Sequence, residues 1–113
     1  MAAVYVSNLV ITSGSTFNQT FQLEATSTNA PLDLTGYSIS SQMRKWAGSS
    51  SATDFTATIT SPATSGTIEL GLTSSQTADL KAGRQVYDVI ISKGAIKETV
   101  VEGSVLVREG VTR

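Results

Sequence analysis

The sequence predicts an all-β fold, an antiparallel β-sandwich of about seven strands with one short helical crossover near residues 74–81. Three observations lead there. Ser and Thr are the commonest residue types and sit among Val and Ile, a composition that favours extended chain. Apolar residues recur at every second position in several short runs, and clusters of Gly, Pro, Asn and Ser separate those runs at sandwich-like intervals.

In "TFNQTFQLEA" the odd positions Phe17, Phe21 and Leu23 are apolar, so an extended chain puts all three on one face. "GYSISSQMRKW" places Tyr37, Ile39 and Met43 on one side and Ser38, Ser40, Gln42 and Arg44 on the other. "DFTATIT" turns Phe55, Ala57 and Ile59 inward, and "GTIELGL" does the same with Ile68, Leu70 and Leu72. Such alternation belongs to half-buried strands with one wet face. "VYDVII", the N-terminal "AVYVSNLVI" and the C-terminal "TVVEGSVLV" are apolar on both faces for part of their length. "SGS", "STNAP", "AGSSSA", "SPATSG" and "SKGA" supply the connections, with Lys93-Gly94 suited to a tight hairpin.

The helical crossover is marked by its cap. Thr73 is followed three residues later by Gln76, the spacing at which a hydroxyl and an amide satisfy the first free N–H groups of a helix. One or two turns over residues 74–81 should follow, with Leu80 reaching into the core and Gly83 supplying the positive φ that ends the helix. A strand starting at Arg84 comes next. Tyr87 then falls where a sandwich can place a tyrosine corner, its phenol bonding upstream backbone; the other reading is an ordinary aromatic strand residue.

The bounds on function are mostly exclusions. At 113 residues the chain is expected to be one domain over 1–113, able to bury roughly 65% of its unfolded surface. It has no Cys and no His, which removes disulfides, thiolate and imidazole metal sites and every mechanism built on those side chains. Net charge is −1, and of the eight cations only Arg44 and Lys45 are adjacent, which is no surface for a phosphate backbone. The N-terminal residues match neither a signal peptide nor a membrane span. The expectations are therefore no nucleic acid, no membrane and no cofactor.

The acids Glu24, Asp33, Asp54, Asp88 and Glu102 are scattered and form no recognisable ligand pattern, so catalytic and metal sites are not expected. Asp88 should point outward from its strand and form a cross-strand ion pair with Arg44. Trp46 shares the outward face with Arg44, either as a strand-end aromatic lying over the sheet edge or as an anchor for a protein partner.

Taken in order, "FNQTFQLEATSTNAPLDLTGYSISSQMRK", "LGLTSSQTADLKAGRQVYDVIIS" and "VVEGSVLV" resemble the small immunoglobulin-like β-sandwich module of virion structural proteins in tailed bacteriophages. Similar short chains occur in cyanophages, and a related domain opens the baseplate upper proteins of some siphophages. The resemblance covers roughly residues 8–108 and includes "PLDLTGY" at 31–37, "MRK" at 43–45 and "EGSVLV" at 102–107.

The resemblance implies a non-enzymatic virion protein, made in a bacterial host cytoplasm, that binds other virion chains. A tail or baseplate adapter and a capsid decoration protein fit equally, although no fibre-forming repeat follows the sandwich before Arg113. A homo-oligomer is compatible with either. A carbohydrate-binding β-sandwich module for host recognition is the alternative. The terminal strands carry more apolar residues than one inner face can use, and long edge strands are normally blunted unless covered. The candidate protein-binding residues are accordingly Val4, Val6, Arg44, Trp46, Val105 and Val107.

Overall fold

The computed structural model describes residues 5–24, 30–50 and 52–111. The candidate Val4 and most of the "STNAP" connection lie outside them. The described residues form two packed sheets, an all-β sandwich. The larger contains β1 (Tyr5–Val6), β2 (Leu9–Thr12), β4 (Ser38–Arg44), β5 (Thr53–Asp54), β8 (Gly83–Lys93) and β9 (Ile96–Arg108). Its order is β1-β9-β8-β4-β5, with β2 continuing beside β9. The smaller runs β3-β7-β6, from β3 (Phe17–Gln22), β6 (Thr56–Ile59) and β7 (Thr67–Leu72).

The alternating runs become strands with the expected faces. Met43, Ile68, Leu70, Val89 and Ile91 are fully buried between the sheets, and Phe17, Phe21, Tyr37 and Ile39 pack around them. Phe55 sits between the rings of Phe17 and Tyr87, at 5.9 and 6.1 Å between centroids. The Tyr87 contact is edge-on, the geometry that ring quadrupoles favour.

The crossover helix is shorter than the sequence predicts. α1 spans Ser74–Ala78, with the full capping box: the Thr73 hydroxyl accepts from the Gln76 N–H at 3.2 Å, and the Gln76 amide oxygen accepts from the Thr73 N–H at 2.8 Å. It links β7 in the smaller sheet to β8 in the larger, and Leu80 packs against the core. Thr77 explains why one turn suffices. Its buried hydroxyl accepts from the Gly14 N–H and donates to the Ser15 carbonyl, pinning the helix to the turn between β2 and β3. The helix ends at Asp79 in ordinary helical conformation; Gly83, with φ 139°, opens β8 instead of closing α1.

Two expectations about strands are corrected. There are nine strands among the described residues rather than seven, because the N-terminal run is split and β5 is a separate two-residue piece. The sandwich is also not wholly antiparallel. β1 and β2 both pair parallel with β9, Tyr5 beside Val101 and Leu9 beside Val105. An antiparallel meander covers only neighbours in sequence; the N-terminal run instead covers the otherwise free edge of β9.

The split between β1 and β2 has a specific cause. The Ser7 N–H donates to the Glu102 carbonyl at 2.9 Å, as a parallel ladder requires. The next rung would join the Ser7 carbonyl to the Ser104 N–H. The carbonyl instead turns inward and accepts from the Tyr87 hydroxyl at 2.7 Å. The Asn8 side-chain oxygen takes its place, accepting from the Ser104 N–H at 3.2 Å and from its hydroxyl at 3.0 Å. Gly103 leaves room for the turned carbonyl, since a Cβ at that position would overlap the Ser7 oxygen. Tyr87 is thus no tyrosine corner of the local kind. Its phenol does bond upstream backbone, but 80 residues away.

The hairpin from β8 to β9 turns at Gly94 with φ 60°, as Lys93-Gly94 predicts. A bulge follows, where Val89 pairs with Val101 and Ile90 with Thr99. Both Val100 and Val101 consequently face the core.

Three measurements check this account. Thr73→Ala should lower stability by about 1 kcal/mol in urea unfolding, the usual worth of an N-cap. Gly103→Ala should cost about 3 kcal/mol in the same assay, because the new methyl must displace backbone rather than a flexible side chain. Tyr87→Phe should cost about 1 kcal/mol by leaving the Ser7 carbonyl unpaired. Burial raises the Tyr87 pKa above its ordinary 10.0. The unfolded chain therefore ionises first: this stabilisation is complete below pH 10 and is lost as pH rises through the folded value. The stability gap between wild type and Tyr87→Phe should shrink in alkali.

Candidate protein-binding face

The outer face of the larger sheet is assembled by alternation. On β8 the residues that alternate with the buried Tyr87, Val89 and Ile91 are Val86, Asp88 and Ile90, with Arg84 before them. On β9 the residues between Val101, Val105 and Val107 include Glu102 and Leu106. Register then sets the rows that cross the strands. One runs Val6, Glu102, Asp88, Gln42, Asp54; the next contains Ser104, Val86 and Arg44; a third contains Val10, Leu106 and Arg84.

A concavity of about 660 Å³ opens on this face, lined by Val6, Arg44, Trp46, Val86, Asp88 and Glu102 among others. Trp46 stands just past the end of β4 and is 61% exposed. The turn after it is closed by the Ser49 N–H, which donates to the Trp46 carbonyl at 2.9 Å. Ser49 is buried, and its carbonyl accepts from the Arg44 guanidinium.

The expected Arg44–Asp88 ion pair is replaced by a different network. Arg44 lies opposite Val86, one pair out of step with Asp88. Its guanidinium donates to Ser49 and, at 3.0 Å, to the Gln42 amide oxygen. The Gln42 amide nitrogen donates in turn to the Asp54 carboxylate at 2.6 Å. Asp88 is left beside Gln42 on one side and directly opposite Glu102 on the other. Two carboxylates at opposed positions repel, so this pair is not there for the stability of the isolated sheet.

The structure thus separates the candidate residues. Val6, at 76% exposure, Arg44 and Trp46 share one face and one concavity. Val105 and Val107, at 0% and 2%, point into the core and are unavailable to a partner, which corrects their selection. β9 is an interior strand, flanked by β8 and by β1 and β2, and its outward residue in that stretch is Leu106. Sequence reasoning missed Val10, Val86 and Leu106. Their signal was present as the alternate positions of strands apolar on both sides.

The remaining acids stay apart from this face. Asp33 accepts from the Thr35 N–H at 3.0 Å and from its hydroxyl at 2.6 Å, bonds that hold its carboxyl below the usual range and form a turn within "PLDLTGY". Glu24 accepts from the Tyr5 hydroxyl at 3.4 Å. Among the described residues, no three acidic side chains gather where they could hold a metal ion, and no helix is long and apolar enough to cross a membrane.

No family model matches the chain, and no curated protein does. Among solved structures, Listeria monocytogenes InlP is similar at a TM-score of 0.51 and 13% identity, over 90% of this chain and 26% of that one. A family 123 glycoside hydrolase from Clostridium perfringens aligns at a TM-score of 0.46 and 11% identity, over 96% of this chain and 23% of that one. The chain therefore spans about a quarter of the length of either protein. At these identities the likeness to InlP concerns the fold alone.

Proposed function

We propose that this chain is a non-enzymatic structural protein of a tailed-bacteriophage particle. Its work is to bind other chains of the particle, as a tail or baseplate adapter or as a capsid decoration protein. The supporting observation is the concentration of exposed apolar side chains on one sheet face: Val6, Val10, Val86, Leu106 and the neighbouring Trp46. Scattered apolar residues on a surface need no explanation, but several on one sheet face, with Val6, Val86 and Trp46 lining an open concavity, are what a protein partner covers. The ordered resemblance of "PLDLTGY", "LTSSQTADLKAGRQVYDV" and "EGSVLV" to phage sandwich modules supports the choice of particle.

A carbohydrate-binding role is the second reading. Trp46 shares its concavity with Gln42 and two carboxylates, and an exposed ring beside polar groups can stack on a sugar. Glycan-array binding lost in Trp46→Ala would favour it.

The test of the first reading is quantitative mass spectrometry of purified particles. The chain should be present at a fixed copy number, either matching capsid positions or a small multiple of the tail symmetry; its absence would end the proposal. Trp46→Ala, which removes an exposed ring and should leave the fold intact, is expected to weaken incorporation at least about tenfold.

A further inference from the structure

We propose that the outer face of the larger sheet binds a second copy of this chain. The two-fold axis would lie in the interface, crossing the strands over Val86. This names the partner of the face that the preceding reading treats as protein-binding, and it rests on that reading.

The charge order along the strands points to this partner. On the outer face β8 reads Arg84, Val86, Asp88, and β9 reads Glu102, Ser104, Leu106, Arg108. Asp54, Asp88 and Glu102 therefore fall in one row across the sheet, and Arg84 and Arg108 lie toward the other end of the same strands. The middle row holds Ser104 and Val86, with Arg44 turned sideways to Ser49 and Gln42. The acidic row and the Arg84 row thus lie on opposite sides of Val86, and Lys97 stands farther along β9, beyond the acids.

That order decides how two copies can meet. An isologous contact brings the same patch of each subunit against its counterpart. With the axis along the strands, acidic row would lie on acidic row. With the axis across the strands, the copies run antiparallel over one another: the rows on either side of the axis meet each other, and the Val86 row, which holds Arg44, meets itself. Centred on Val86, this rotation sets Arg84 of each copy over Asp88 of the other, and the exposed Val10 of each over Val6 of the other. The opposed carboxylates of Asp88 and Glu102, unfavourable in a lone chain, gain a cation from the second copy.

Sedimentation velocity across a concentration series tests the proposal, using the intact chain and two charge variants whose folds are checked by circular dichroism. Wild type should show a monomer–dimer equilibrium that weakens as salt rises. Arg84→Glu with Arg108→Glu makes the face acidic, and Asp88→Lys with Glu102→Lys makes it basic; each variant alone should be monomeric. Mixed in equal amounts, the two should form a heterodimer. A monomeric wild type at low salt overturns the proposal, as does a dimer that both variants leave unchanged. Particle incorporation, measured separately, judges the underlying protein-binding reading, so the two can fail independently.

Discussion

The inward turn of the Ser7 carbonyl is the constraint that ties the N-terminal run, β8 and β9 to one another. Without it β1 and β2 would be one uninterrupted parallel strand, Tyr87 would have a buried hydroxyl and no acceptor, and position 103 would have no reason to be glycine. Three separated parts of the chain meet there: the N-terminal run, the middle of β8 and the middle of β9. Each supplies a group the others lack, respectively a carbonyl and a side-chain amide, a phenol, and an empty space above a Cα. A buried polar group is tolerated only when paired, so removal of any one contributor exposes the others to a desolvation cost.

What was legible in the sequence was what local chemistry controls. "DFTATIT" and "GTIELGL" could be oriented because only one face of each is apolar, and the Thr73-Gln76 box could be found because it spans three residues. The parallel pairing of β1 and β2 with β9 was not legible, since nothing in "AVYVSNLVI" says which edge it will cover. The inward direction of Val105 and Val107 was not legible for a related reason. Val105, Leu106 and Val107 are all apolar, so alternation gives no phase, and the phase is set instead by register with β8.

The acidic pair shows how one irregularity can set a surface. Counted from the Gly94 hairpin without interruption, Asp88 would face Val101. The bulge at Val100 moves Glu102 opposite Asp88 and sets the phase of β9 beyond it. Both the candidate face and the filling of the core by two successive valines thus follow from a single extra residue. Sequence periodicity could find Asp88 outward, but not its neighbour.

The pairing of the first strands with the last also has a mechanical meaning. β2 and β9 run side by side in the same direction, so tension applied at the N-terminal end of one and the C-terminal end of the other slides them past each other. The rungs from Leu9–Val105 to Thr12–Arg108, with the Ser7–Asn8 contacts behind them, would then share the load at once. A hairpin pulled from its open end breaks one rung at a time. A chain strung between two neighbours by its ends would therefore resist stretching through shear, at a seam closed by its own earliest and latest strands.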